Sequence, residues 1–289
     1  MHDRRSDAGD DEPSAPSPDH SVEAATGDPL TPPPNPAGGR TLIVDAADGA
    51  RYPRPSAALL DAEVNDQVFV RPGRYEDKIF VVGGPVRLIG AGRDLVEIFS
   101  RRTGPLYLQR VPAGVISGIT FRYLGSDQHS AMNVLDSTCT ISRCRITDAV
   151  LSGIVVYGPE SRPTLVDNEV CRNRESGIFV FAGARPYVTK NACFENHHFG
   201  IAVRDPETKP DLVRNLCHHN RLSGILLFHL AEAMLLDNVC RDNDHWGVVV
   251  TPDSSTTPPR DELATSNTLG RNPRGAVTVT DTPLAEIGR

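Results

Sequence analysis

Between Ile141 and Thr251 apolar side chains alternate with polar ones in runs of only three to five residues, and no window sustains a helical period. Period two marks half-buried strands. After each of five glycines the pattern reads Ile154/Val156, Ile178/Val180, Ile201/Val203, Ile225/Leu227 and Val248/Val250. One apolar residue stands ahead of each polar corner (Ile141, Leu165, Val188, Leu212, Leu235), and another follows it (Ile146, Val170, Cys193, Cys217, Cys240). The pattern predicts three short strands, a turn after each, and the same unit again.

The markers between the strands keep a fixed step. Asparagines stand at 168, 191, 215 and 238, so the steps are 23, 24 and 23 residues. A second asparagine follows five later (Asn173, Asn196, Asn220, Asn243), and a glycine four after that (Gly177, Gly200, Gly224, Gly247). Weaker copies flank these at Cys144 and Gly153, and at Asn267, Asn272 and Gly275. A period of this length means stacked supersecondary units. The predicted fold is all-β: a single-stranded right-handed parallel β-helix, a solenoid whose coils stack at roughly 4.8 Å. Asparagine suits the corners, where it tolerates left-handed backbone and its amide can bond the copies above and below. Glycine suits the bend into the next strand.

Thr41–Ile98 carries a different pattern: a strand at Leu42–Asp45, an amphipathic stretch at Pro55–Ala62, the turn Arg71-Pro-Gly-Arg-Tyr-Glu-Asp77, and Val86-Arg-Leu-Ile-Gly-Ala-Gly92. This order resembles the opening coils of the pectin-lyase-like superfamily. The asparagine repeats resemble those of alginate C5-epimerases, NosD-type periplasmic proteins and certain F-box proteins. The resemblance spans about residues 41–280 and implies the fold; the scaffold itself carries lyases, hydrolases, esterases, epimerases and non-enzymes. Pro55–Ala62 is expected to be a short capping helix, because an open solenoid end exposes core and strand edges.

Residues 1–40 hold eight of the 24 prolines and a net charge of −5, against −7 for the whole chain. An acidic, Pro-rich tail of this kind is expected to be disordered, leaving a near-neutral β-helix over 41–280 and a short tail over 281–289. Nothing in the charge pattern suggests a nucleic-acid surface. No export signal and no membrane-length apolar run is visible, so a cytoplasmic location is expected. Cys193, Cys217 and Cys240 share one inward slot, which reads as a packing ladder of reduced thiols. No cofactor is expected. Metal binding is not expected either, since adjacent histidines on an extended chain point apart and no helix supplies ligand spacing.

Two sets of positions remain for function. The turn ahead of each glycine offers Arg172, Arg174 and Glu175, then Glu195, His197 and His198, then His218, His219 and Arg221, then Asp242, Asp244 and His245. Stacking would gather these on one edge, with His198, His219 and His245 for proton transfer and Arg174, Arg204 or Arg221 for a carboxylate. Turn residues are also polar for backbone reasons alone. The second set is an apolar stripe at the outward positions of the strand after each glycine: Val155 and Tyr157, Phe179 and Phe181, Ala202 and Arg204, Leu226 and Phe228, Val249 and Thr251. Such stripes mark association surfaces, unless Ser126–Ser130, Thr251–Glu262 or the tail covers this one. The polygalacturonase Gly-His-Gly and the pectinesterase catalytic segments have no counterpart, and the epimerase Asp-Pro-His-Asp is only faintly echoed in Asp205-Pro206-Glu207, with Glu in place of His, so no catalytic residue carries over. The sequence therefore favours a non-catalytic module that binds a protein partner or itself through Tyr157, Phe179, Phe181, Arg204, Leu226 and Phe228. The alternatives are a carbohydrate-active enzyme of uronate epimerase or lyase type, using His198, His219, His245 and Arg221, and a glycan-binding module.

Overall fold

The computed structural model describes residues 28–280. Three parallel sheets, of ten, eight and nine strands in the order the chain visits them, wind into a solenoid of about nine turns. A representative coil runs Tyr187–Thr189, Ala192–Phe194 and Ile201–Arg204, one strand for each sheet. Every coil pairs with the next in register. Ile178, Ile201, Ile225 and Val248 stack in one column, and Cys193, Cys217 and Cys240 in another. Like residues therefore pile into a continuous apolar core whose members are almost all fully buried. All six cysteines are free and buried, and burial pushes the Cys139 and Cys144 thiols up to about 12. Among the described residues no helix is long and apolar enough to cross a membrane.

The asparagines hold the coils in step. Asn191 donates its backbone N–H and its Nδ2 to Asn215 Oδ1 at 3.1 and 3.0 Å, and Nδ2 also reaches the Leu165 carbonyl at 2.9 Å. The same pattern runs through Asn168, Asn191, Asn215, Asn238 and Asn267, and again through Asn173, Asn196, Asn220, Asn243 and Asn272. These side chains are buried, and a buried amide is tolerable only when its donors and acceptor are all engaged.

Two expectations about the corners need correction. The left-handed residue is not the asparagine but its predecessor: Asp167, Lys190, Arg214 and Asp237 in one ladder, Arg172, Glu195, His219 and Asp242 in the other, all with φ between 53° and 58°. Holding non-glycine residues there costs energy, which the buried amide bonds offset. The glycines, in turn, are needed for space. A Cβ on Gly177, Gly200 or Gly224 would sit 2.7 Å from the glycine carbonyl of the next coil.

At the N-terminal end, α1 (Pro55–Asp61) lies over the first coil with Pro55 and Ala58 buried. Asp77 accepts the Ser56 N–H and hydroxyl, both at 2.7 Å, and so satisfies the helix start. Residues 1–27 and 281–289, most of the two expected tails, lie outside the described residues. Residues 28–40, assigned by composition to a disordered tail, instead bond to the first coil: Asn35 Nδ2 to the Asn65 carbonyl at 2.8 Å, and Gln67 Nε2 to the Pro33 carbonyl at 2.9 Å. Proline content hid those contacts because their partners are backbone carbonyls. Thr251–Glu262, a candidate cover for the apolar stripe, supplies the strand Ser255–Thr257 that extends the first sheet.

Replacing Asn215 by alanine strands the buried Asn191 N–H and removes the Nδ2 that serves Asn238 Oδ1 and the Val188 carbonyl, each unsatisfied group costing about 1–3 kcal/mol. Asn215→Ala should therefore lower stability by roughly 2–5 kcal/mol in urea titration, whereas Glu160→Ala at an exposed site should stay within about 0.5 kcal/mol. Equal midpoints for the two variants would remove the ladder from this account.

Candidate functional site

The three residues between the second asparagine and the glycine form the wall of a groove. Backbone bonds stack them coil on coil: His198 N–H to the Glu175 carbonyl at 3.0 Å, Leu222 to His198 at 2.9 Å, His245 to Leu222 at 2.8 Å. One column thus reads Arg174, His197, Arg221, Asp244; the next Glu175, His198, Leu222, His245; the third Ser176, Phe199, Ser223, Trp246. With the outward residues of the third sheet they enclose an open groove of about 830 Å³. Both sets singled out in the sequence meet here: Arg221, His198 and His245 on one side, and Phe179, Arg204, Leu226 and Phe228 on the other.

The apolar stripe is not the exposed face that alternation implied. Leu226 and Val249 are fully buried, Ala202 and Phe228 nearly so, in a small second core with Phe199 and Leu222, against which Trp246 and Phe179 pack. The cover comes from the turn itself rather than from Ser126–Ser130 or Thr251–Glu262. The slot before the glycine carries serine in two copies and an aromatic residue in the other two. That contrast between Ser176 or Ser223 and Phe199 or Trp246 was the available signal.

Tyr157, Phe179 and Phe181 remain half-buried. Tyr157 stacks on Phe181 with centroids 5.3 Å apart, and Phe179 lies 4.9 Å from Phe181. The Arg204 guanidinium sits 5.3 and 5.2 Å from the Phe179 and Phe181 centroids, with Nε 3.1 Å from Asp205 Oδ1. Tyr157 shares a hydroxyl contact of 3.2 Å with Tyr107, and burial pushes its phenol up.

The expected histidine set divides. His198 and His245 line the groove together with His197, whereas His219 does not. His219 is the left-handed residue of its corner, so the chain is not extended there, and its ring turns to His218, Nδ1 to Nδ1 at 2.7 Å. His218 stacks on Phe194 at 5.1 Å. The adjacent pair therefore converges where divergence was expected. Among the described residues no group of three or more His, Cys, Asp or Glu is placed to hold a metal ion.

Electrostatics shift the groove's His197, as they do His218 outside the groove. Burial, then the charges of Arg221, His198 and Arg174, hold the His197 imidazole below the usual range. Arg174 and Arg221 are exposed and, among the described residues, form no ion pair or side-chain hydrogen bond. Glu175 accepts the Ser152 hydroxyl at 3.3 Å. A neutral nitrogen base thus stands between two uncommitted guanidiniums one coil away on either side, roughly 4.8 Å per step.

Solved structures share this architecture. The chain superposes on pectate lyase Pel9A with a TM-score of 0.55 at 11% identity, covering 86% of this chain and 80% of that one. The catalytic domain of a GH87 α-1,3-glucanase in complex with nigerose gives 0.50 at 14% identity, covering 88% of this chain and 47% of that one. The A-module of the Azotobacter vinelandii mannuronan C-5 epimerase AlgE4 gives 0.44 at 15% identity, covering 74% and 80%. At these identities the likeness is one of fold. No curated protein matches the chain. The model of the right-handed β-helix region matches residues 111–263, more than half of the 289, and the chain belongs to that family.

Proposed function

We propose that the groove binds an acidic saccharide and removes the proton next to its carboxylate, as a uronate lyase or epimerase would. The observation that carries this reading is His197 between Arg174 and Arg221. A C–H beside a carboxylate is a poor acid because deprotonation adds a second negative charge; cations on the carboxylate relieve that cost, and a neutral imidazole supplies the base. In the proposed step His197 takes the C5 proton, and the electron pair passes to the carboxylate held by Arg174 and Arg221. Expulsion of the C4 oxygen then gives the unsaturated product, or a proton returned to the opposite face gives the epimer. His198 and His245, on either side of Leu222, are the candidate proton donors.

The half-buried rings of Tyr157, Phe179 and Phe181 supply a stacking surface beside this column, and Arg204 a further cation. The self-covered state of Leu226, Phe228 and Val249 weighs against protein association through the stripe. The pectate lyase likeness agrees with sugar chemistry at the level of fold and assigns no residue a role.

The step is read as deuterium uptake at C5 from heavy water, for epimerisation, or as a product unsaturated between C4 and C5, for elimination, across a panel of uronate polymers. Whichever signal is seen should fall by about 10²–10⁴-fold in His197→Ala, and Arg174→Ala and Arg221→Ala should lower kcat as well as raise KM, since they meet charge that develops in the step. Binding without either signal would make the groove a glycan-binding site, and neither binding nor turnover would end the proposal.

The His197 titration is a second check. Followed by NMR, its midpoint should lie below 6.5, and Arg221→Ala should raise it by removing a nearby positive charge. The neutral form, and with it proton abstraction, is then lost only as pH falls through that depressed value. A midpoint unmoved by Arg221→Ala would contradict the electrostatic argument.

A further inference from the structure

The N-terminal end of the solenoid shows three strand edges, and among the described residues only two are protected. The first sheet ends on Thr41–Val44, where Val44 is bridged by Tyr52 and Asp45 N–H donates to the Tyr52 carbonyl at 3.1 Å. The second ends on Gly73–Glu76, whose exposed side chains Arg74 and Glu76 place charges on the edge. Charged residues are a standard block to edge pairing. The third ends on Ile79–Val82, which among the described residues pairs only with Leu106–Gln109. Its ladder uses the N–H groups of Ile79 and Gly83, bonded to Pro105 and Gln109 at 2.8 and 2.9 Å. By the period of two, Phe80 and Val82 turn theirs to the free side.

This unblocked edge borders a groove that gathers four of the ten exposed large hydrophobic residues among the described residues. Leu60 is 87% exposed, Val64 70%, Phe80 56% and Val82 47%, and all four line one groove of about 470 Å³ between α1 and the edge strand. The capping helix therefore closes the core but leaves this edge open. The groove also carries both signs of charge on exposed side chains, Lys78 and Glu63, whereas Asp66 is buried against Arg40 at 2.6 Å. Lys78 makes no ion pair among the described residues.

We propose that this end is a dimer interface, in which Ile79–Val82 pairs antiparallel with the same strand of a second copy across a two-fold axis. Antiparallel pairing of one strand with itself is self-complementary, as an isologous contact requires, and it closes after two copies. A rim with both signs meets its own opposite across such an axis. The pairing joins the third sheets of two solenoids end to end and covers Leu60 and Val64. The groove of the proposed sugar site lies several coils away and is not involved.

Light scattering and sedimentation on the full chain test this across the micromolar range. The wild type should run at twice the chain mass, and amide exchange at Phe80 and Val82 should slow as concentration rises. Leu60→Asp combined with Val82→Lys, both at exposed positions, should raise the dimer dissociation constant at least about a hundredfold with an unchanged melting curve. The amide measurement needs no variant and stands if the double variant fails to fold. A monomer throughout the range, a dimer that survives the double variant, or oligomers that keep growing through Gly275–Val279 at the other end would each overturn the proposal.

Discussion

Everything in this molecule depends on coils stacking in register, and the buried asparagine amides enforce that register. Past the first rung of each ladder, where Asn168 and Asn173 accept one donor each, every Oδ1 takes two N–H donors from the neighbouring coil, and each Nδ2 spans to a carbonyl beyond. Apolar stacking alone would tolerate slippage, since Ile, Val and Leu substitute freely for one another in the core columns. An amide does not: displaced by one residue, it leaves donors unpaired where water cannot reach them. The strained corners and the glycine contacts persist because this network over-determines them.

Register turns sequence positions into columns, and columns make the site. Arg174, His197 and Arg221 are neighbours only because their coils are in step, and the same holds for Phe199 and Trp246 covering Leu226 and Val249. Two separate candidate surfaces become one groove with a polar wall and an aromatic side. The left-handed residue at each corner is equally decisive. It turns His219 away toward His218 and leaves His197 and His198 facing the groove.

The strand order, the inward Ile and Val columns, the cysteine stack and the capping helix were legible in the sequence because period and spacing are local properties. The cover over the stripe was not, because alternation tells inward from outward but not exposed from covered. Leu226 at outward parity is fully buried by residues that a period of two does not connect to it. The division of the histidines was hidden for a related reason: parity was counted through a corner as though the chain were straight. His197 illustrates the limit best. It stood among the turn residues without distinction, and its burial in the stacked wall, with Arg221, His198 and Arg174 beside it, depresses its imidazole.

A double-mutant cycle on the ladder tests the controlling role of register most directly. Asn191 and Asn215 share bonds, whereas Asn168 and Asn267 have no partner in common. Measured by denaturant titration, Asn191→Ala and Asn215→Ala should be non-additive by at least about 1 kcal/mol, and the distant pair additive to within about 0.5 kcal/mol. Additivity in both cycles would mean that the amides act singly, and that apolar stacking rather than the ladder sets the register on which the groove depends.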